Sequence, residues 1–368
     1  MIKTLNLSKN LLTGLFLSVI IQLRKRFREM SQMVKIKDIA KRCEVSVATV
    51  SKALNHSHEI SEKTTQHVIR VANEMGYIAN SNARSLKTNR SYNLGLLYVD
   101  KSESGLEHEY FSVILNSIKR EAERLGYDLT FISNKIGNSR NSYLSHARYR
   151  GCDGVILVSA DFNDSEVIHL VESDMPTVTI DHLFPNRTSI MSDNNKGLYE
   201  IVKYLYDQGH KKIAFIHGED TTVTKQRLKS FHQACEELKL DIPSTYMKKA
   251  LYHIPKYSGL ATRELLSLDD PPTVIIYPDD YSYMGGMTEI EKHGLKIPDD
   301  ISVVGYDGIY LSRILRPSLT TYVQDSIEIG KMAAIKLIEI INKPKHFIAE
   351  QIIVKGHIQY GQTVKKIK

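Results

Sequence analysis

The stretch from Ile36 to Asn55, IKDIAKRCEVSVATVSKALN, constrains this chain more than any other. Ile36, Ile39, Ala40 and Cys43 form one apolar stripe at helical spacing, and Val47, Val50, Ala53 and Leu54 form a second, with Glu44-Val45-Ser46 between them. Ser46 is placed to accept from the backbone N–H of Thr49 and so to start the second helix, while Val45 fills the angle between the two. Two short helices sharing a buried seam across such a turn make a helix-turn-helix. Ala48, Ser51 and Lys52 lie off the buried stripe, where small and polar side chains can face base edges and phosphates in a major groove, and Val47 sits at the rim. Taken alone, these residues also suit a helical hairpin in an unrelated all-helical domain.

The flanking sequence narrows that choice. Ser61-Glu62-Lys63-Thr64 starts a third helix, with Val68, Ile69, Ala72 and Met75 on its apolar face and Gly76 ending it. The net charge of +7 is concentrated at this end: residues 1–33 hold six Lys/Arg against one acid, and residues 34–91 hold ten against five, which leaves the remainder net acidic. A basic head on a neutral-to-acidic body suits a polyanion partner. Cys43, Cys152 and Cys235 are far apart, with no C-x-x-C, so neither a disulfide framework nor a zinc site is expected, and a reducing cytoplasm fits.

Residues 1–33 superficially resemble a secretory signal, because Leu11–Leu23 is largely apolar. No small-x-small cleavage site follows, and the run falls short of the roughly 20 residues a bilayer span requires. The reading adopted is a start upstream of the functional one, at Met30 or Met33, with no membrane partner; the alternative is a short membrane-surface anchor.

From Asn93 the pattern alternates. Strands are expected at Leu94–Val99, Asp128–Ile132, Gly154–Val158 and Thr177–Ile180, with helices at Phe111–Leu125 and Ser165–Ser173. A second cycle places helices at Asp193–Gln208, Arg227–Leu238 and Tyr283–His293, and strands at Lys212–Ile216, Val274–Tyr277 and Ile301–Val304. Such βαβ alternation implies two doubly wound parallel sheets, whose facing strand ends make a ligand cleft.

The segments "IKDIAKRCEVSVATVSKALN", "ISEKT", "VANEMGYIAN" and "NARSLKT" resemble the DNA-binding headpiece and hinge of the lactose-repressor (LacI/GalR) family. "DNNKG", "YLYDQGHKKIAFIHG", "RLKSF", "IPDDISVVGYDG" and "RPSLTTYVQDSIEIGKMAAIKLI" resemble its effector-binding core. The resemblance implies an all-α helix-turn-helix headpiece at 34–78, a hinge helix at 79–91, and a two-lobed α/β core like periplasmic binding proteins at 92–361. It divides the core into a first lobe of about 92–190 and 324–348 and a second of about 191–323 and 349–361, with the helix Ile327–Ile341 returning to the first.

By the same resemblance Val47, Ala48 and Lys52 match base-reading positions, with Ser51 beside them, and Ser46, Thr49, Asn55, Ser61 and Thr64 match phosphate-contacting ones. Leu86 matches a leucine wedged into the minor groove, flanked by Ala83 and Arg84. Three departures stand out: Lys35 where a capping Thr or Ser is usual, Glu44 where Gly is common, and Ala79 where Pro is frequent. In the core, Tyr110 and Phe111 match a pair that stacks on effector rings, Arg227 a clamp for hydroxyls or carboxylates, and Asp279 and Asp307 effector acceptors. His108 and the segment Tyr252-His253 are further lining candidates, with a surface or loop position the preferred reading for His253. Carboxylates beside aromatics fit a neutral sugar better than a nucleobase.

No G-x-S-x-G, P-loop, H-E-x-x-H or dinucleotide fingerprint is present, Asp280 reads as a helix N-cap, and His210 sits in a turn, so no enzyme, cofactor or metal is expected. The resulting expectation is a homodimeric transcriptional regulator, a repressor of a carbohydrate-utilisation operon, that binds double-stranded operator DNA and a small-molecule effector, a sugar by preference. The rival readings are an exported sugar-binding protein, which the basic head disfavours, and a catabolite regulator with a phosphorylated carrier protein as corepressor.

Overall fold

The computed structural model describes residues 34–54, 57–77, 90–99, 105–137 and 139–367. Residues 1–33, Asn55, Ala79, Ala83, Arg84 and Leu86 lie outside them. The described chain falls into two units divided between Thr88 and Asn89.

The first unit is helical: α1 (Ile36–Arg42), α2 (Val47–Leu54) and α3 (Glu62–Glu74). Ile39, Val50, Ala53, Val68, Val71 and Ala72 close its core. Fully burying Ile39, Val50, Val68 and Val71 contributes about 1.5–3 kcal/mol each, the main support of a unit with no sheet beneath it. On α3 the inward position is Val71 rather than Ile69, which is only partly buried. Val45 packs against this core, as its place in the turn requires.

The helix starts follow from local chemistry. Ser46 Oγ accepts from Thr49 N at 3.0 Å, and Ser61 Oγ accepts from Thr64 N at 3.2 Å. Lys35 makes no side-chain cap; instead its own N–H donates to Asp38 Oδ2 at 2.8 Å, so α1 is capped from within its first turn. Glu44 adopts φ 54°, the left-handed conformation that explains why glycine suits this turn.

The second unit holds two six-stranded sheets. In the first, β1 (Asn93–Tyr98) leads through α4 (Glu109–Arg124) to β2 (Asp128–Ile132). A small hairpin, β3 (Lys135–Ile136) and β4 (Ser139–Arg140), precedes α5 (Tyr143–Tyr149), β5 (Gly154–Ser159), α6 (Ser165–Glu172), β6 (Thr177–Ile180) and β7 (Thr188–Ser192). The second sheet follows with α7 (Asn194–Asp207), β8 (Ile213–His217), α8 (Thr222–Glu237), β9 (Met247–Lys249), α9 (Pro255–Leu266), β10 (Val274–Ile276), α10 (Asp280–Lys292), β11 (Ser302–Asp307), α11 (Tyr310–Ile314) and β12 (Thr320–Val323). The chain then returns through α12 (Ser326–Asn342) to β13 (Gln351–Val354) in the first sheet, and crosses once more to β14 (His357–Gln359) in the second.

The strand orders are β13-β7-β6-β5-β1-β2 and β14-β12-β11-β10-β8-β9; all pairings are parallel except β14 against β12. The return of α12 to the first lobe agrees with expectation: its Ile329, Ala333 and Leu337 join the core of α4 and β5. A Cβ at Gly330 would lie 2.4 Å from the Ile114 carbonyl oxygen, so only glycine lets α12 approach α4 this closely.

The lobe boundaries differ from those expected. β7 runs to Ser192, and β13 pairs with β7 instead of belonging to the second lobe from residue 349. The core also continues past residue 361: Val303 N donates to the Thr363 carbonyl at 2.9 Å and Ile367 N to the Gln208 carbonyl at 2.9 Å. Sheet pairing decides these assignments, and no periodicity in a four-residue strand encodes it.

Candidate functional site

In the helical unit, Val50 and Ala53 of α2 face the core, which turns Val47 and Ala48 outward; Val47 is 41% exposed. Thr49 and Thr64 place their hydroxyls 2.8 Å from those of Ser46 and Ser61, so four of the five expected phosphate-contacting side chains are held by helix starts, the fifth, Asn55, lying outside the described residues. Ser51 and Lys52 are partly exposed on the same helix. Lys52 Nζ is ion-paired with Glu59, a partner that helical periodicity gives no reason to suspect because it lies in the following loop.

The second unit encloses a cavity of about 170 Å³ between its lobes, at the carboxyl ends of the strands. Tyr110, Phe111, Arg227 and Asp307, all singled out from sequence, line it. Asp181, His182, Phe162, Glu219 and Gln324 line it as well and were not foreseen. Their shared signal is position: Asp181-His182 follows β6, and Glu219 follows β8, at strand ends where ligands of open α/β sheets collect.

Each polar group in the cavity is fixed by neighbours. Arg227 is buried; its Nε donates to Asn194 Oδ1 at 2.9 Å, its Nη1 to the Pro278 carbonyl at 2.8 Å, and its guanidinium lies 3.5 Å from the Tyr306 ring centroid. Two donors are thus spent on orientation, and the fork cannot turn away from the cavity. A Cβ at Gly197 would lie 2.3 Å from the Tyr306 hydroxyl, so the glycine of "DNNKG" leaves room for the ring beneath Arg227. Tyr110 Oη donates to Asp181 Oδ2 at 3.1 Å, and Asp181 Oδ1 accepts from Ser192 N at 2.9 Å. Burial pushes the Asp181 carboxyl above its ordinary range despite these donors.

Asp307 has φ 108° and is followed by Gly308 at φ 71°. Asp280 holds this strained turn: its Oδ2 accepts from Gly308 N at 2.9 Å and Ile309 N at 3.0 Å, and its Oδ1 from Thr321 Oγ1 at 2.7 Å. Gln324 Nε2 donates to Asp307 Oδ1 at 2.5 Å. Burial pushes the Asp307 carboxyl up to about 7, against the opposing pull of His253 and with Asp279 adding to the rise.

Four sequence expectations are corrected here. The N-cap of α10 is Asp279 and not Asp280: Asp279 Oδ1 accepts from Ser282 N at 2.7 Å. Asp279 is absent from the cavity wall and meets it through His253, whose N–H donates to its Oδ2 at 2.9 Å and whose ring Nδ1 lies 3.6 Å from its Oδ1. His253, read from sequence as a surface or loop residue, is instead a cavity residue at φ 59° with its ring packed between His108 and Phe111. Burial lowers its pKa, but the carboxylates of Asp279, Asp307 and Glu219 together outweigh burial and the net shift is upward. His108 itself precedes α4 and is buried behind Phe111 and His253, outside the wall.

Aromatic faces complete the cavity. Phe162 and His182 stack with centroids 4.1 Å apart and planes 9° apart, and burial keeps the imidazole pKa low. The cavity thus sets apolar ring faces beside carboxylate and guanidinium groups. His210 lies elsewhere, bonded to Thr273 Oγ1 at 2.9 Å and the Lys365 carbonyl at 3.0 Å, where it ties the C-terminal segment to the second sheet. Among the described residues no cluster of three or more His, Cys, Asp or Glu side chains could hold a metal ion, and no helix is long and apolar enough to cross a membrane.

Comparison with known proteins agrees with this division. A family described as bacterial regulatory proteins, lacI family, matches residues 35–80, and a periplasmic binding protein-like domain matches residues 202–364. The probable HTH-type transcriptional repressor ExuR of Bacillus subtilis is 33% identical over 341 residues, covering 91% of this chain and 99% of its own length. The HTH-type transcriptional repressor PurR of Mannheimia succiniciproducens is 31% identical over 340 residues, covering 91% and 100%. Among solved structures, the lac repressor dimer bound to operator and the anti-inducer ONPF superposes with a TM-score of 0.75 at 22% identity, over 91% of this chain and all of that one. A CelR–cellobiose complex gives a TM-score of 0.65 at 20% identity, over 90% and 99%.

Proposed function

The chain belongs to the lacI family of bacterial regulatory proteins, and from that membership we propose that it is a cytoplasmic repressor that grips operator DNA as a homodimer and answers to a sugar. The observation that carries this reading is the union, in one chain, of an outward-facing α2 surface with a two-lobed unit whose cavity combines aromatic faces, carboxylates and an oriented arginine. The chemistry of the cavity serves binding, since its polar groups are committed to one another and to orientation instead of forming a nucleophile–base pair.

In this mechanism α2 enters the major groove with Val47, Ala48 and Lys52 at base edges. Ser46, Thr49, Asn55, Ser61 and Thr64 contact phosphates, and Leu86, with Ala83 and Arg84, engages the minor groove. A two-fold dimer then reads a palindrome. Effector contacts from both sides of the cleft, Tyr110 and Asp181 on one and Arg227, His253 and Asp307 on the other, favour one degree of lobe closure. The three crossings between lobes, near residues 193, 324 and 355, are the segments through which that closure reaches the hinge. Coupling of about 1–3 kcal/mol is enough to change operator occupancy without dismantling the dimer.

A sugar is favoured because the cavity pairs flat aromatic faces with acceptors for hydroxyls; in keeping with this, the CelR neighbour holds cellobiose and a LacI-family regulator from Enterococcus faecium holds ribose. The test is direct. The purified full-length protein is titrated onto random duplex DNA at low salt, then screened by thermal shift against mono- and disaccharides, and each stabilising sugar is added to the protein–DNA complex. Binding of duplex DNA, altered by a sugar that also raises Tm, supports the reading; a dimer that binds no duplex, or sugars that never change DNA affinity, refutes it.

A further inference from the structure

α2 reads VATVSKAL, so Lys52 is its single charged side chain. The loop joining α2 to α3 brings the Glu59 carboxylate onto that ammonium. Its placement is built into the backbone. Ser57 N donates to the Lys52 carbonyl at 3.0 Å, Ile60 N to the Ser57 carbonyl at 3.2 Å, and Glu59 N to Ser57 Oγ at 3.4 Å, while Ile60 packs against the helical core. Glu59 is therefore presented from a loop anchored at both ends, with its side chain 68% exposed and that of Lys52 43% exposed.

We propose that Glu59 is a specificity-determining residue of the DNA-reading surface, holding Lys52 in a pair that must be given up at a phosphate, where the carboxylate is repelled, and can be kept at a base edge. The proposal rests on the reading that α2 enters the major groove. An ammonium is a point charge that any phosphate oxygen can accept, so an unpaired lysine on this helix would strengthen binding to every sequence alike. With Glu59 beside it, contact with a phosphate only exchanges one exposed ion pair for another and brings a carboxylate toward the DNA backbone. Little counterion release then accompanies the contact. A guanine edge is different, because its O6 and N7 offer two acceptors at a fixed position away from the phosphates. The carboxylate thus subtracts more from non-operator binding than from operator binding.

The test uses the full-length dimer, random duplex DNA, and the tightest duplex obtained by selection from a randomised pool. Glu59→Gln is expected to raise affinity for random duplex by about 2- to 30-fold, the range for two exposed ion pairs per dimer. The slope of log K against log salt steepens by about 2 per dimer, one phosphate contact for each subunit. The selected duplex gains less, so the operator-to-random ratio falls. In a Lys52→Met background the same substitution leaves affinity and slope unchanged. Unaltered affinity and slope in the Lys52 background overturn the proposal. So does an equal gain on both duplexes, or an equal gain without Lys52, since either makes Glu59 a diffuse surface charge. A parent dimer that binds no duplex at about 50 mM salt instead sinks the underlying reading of α2.

Discussion

The helical unit and the two-lobed unit place function on opposite kinds of surface. In the first, the side chains proposed to read DNA stand outward on α2 and owe their direction to two buried neighbours, Val50 and Ala53. In the second, they point inward, and each is oriented by a second buried polar group: Arg227 by Asn194, Asp307 by Gln324, and His253 by Asp279. The difference predicts how each site tolerates change. An outward residue can be exchanged at the cost of its own contact with DNA, whereas an inward one takes its neighbours' unmet hydrogen bonds with it.

The largest effect should therefore come from the cavity. Arg227→Met keeps the bulk and removes the charge, leaving Asn194 Oδ1 and the Pro278 carbonyl without their donor. Loss of one member of a buried, hydrogen-bonded set costs about 2–5 kcal/mol, so effector affinity measured by calorimetry should fall about 30-fold or more, with a lower Tm. DNA affinity of the ligand-free variant should stay within about twofold. If DNA binding fails as well, the two units are less independent than this comparison holds. Next in size is an outward change: Ala48→Gln should re-rank base preference by about 1–3 kcal/mol at one position of each half-site, with the salt slope and Tm unchanged. A uniform loss across all sequences would mean that Ala48 does not face base edges.

The same contrast governs what sequence could reveal. Val50 and Ala53 repeat at helical spacing, so the outward face of α2 was legible residue by residue, as were the βαβ cycles and the strand-end position of Asp307. The cavity wall was not legible in full. Asp181, Glu219 and Gln324 come from separate strand ends that only sheet order brings together. His253 was misread because its left-handed backbone turns its ring inward under the pull of Asp279, a contact between residues 26 apart in sequence. β13 and β14 were missed for a related reason: strands of four and three residues carry no usable periodicity, and their pairing is decided by the lobe each one reaches.

A smaller effect separates the units by pH. Burial raises the Asp307 carboxyl to about 7, and a hydroxyl-bearing effector needs its ionised form as acceptor. Affinity measured from pH 8 to pH 6 should fall about tenfold as that fraction ionised declines. Stability of the ligand-free core runs the other way. A carboxyl with a raised folded-state pKa favours the folded protein below its unfolded value, and that contribution is lost as pH rises through about 7. His253, also raised, loses its stabilising charge as pH rises through its own folded value. Tm of the core should thus decline with rising pH while effector affinity grows. A parallel fall of both with rising pH would show that the ligand meets Asp307 protonated, as a donor to a ligand oxygen.

The smallest predicted effect tests the helical unit by itself. Glu44 sits at φ 54° in the turn between α1 and α2, a conformation that costs a side-chain-bearing residue about 1–2 kcal/mol and glycine almost nothing. Glycine also gives the unfolded chain more freedom, which offsets part of the gain, so Glu44→Gly should stabilise this unit by about 1 kcal/mol or less. The change also removes an exposed carboxylate from the turn that precedes the DNA-reading helix. Measured in the full chain, the expected signature is slower amide exchange in α1 and α2 with no change in α12, together with modestly tighter binding to random duplex. Slower exchange in both units would show that strain in this turn is felt in the core, and the separation between outward and inward sites would then be one of geometry without being one of energy.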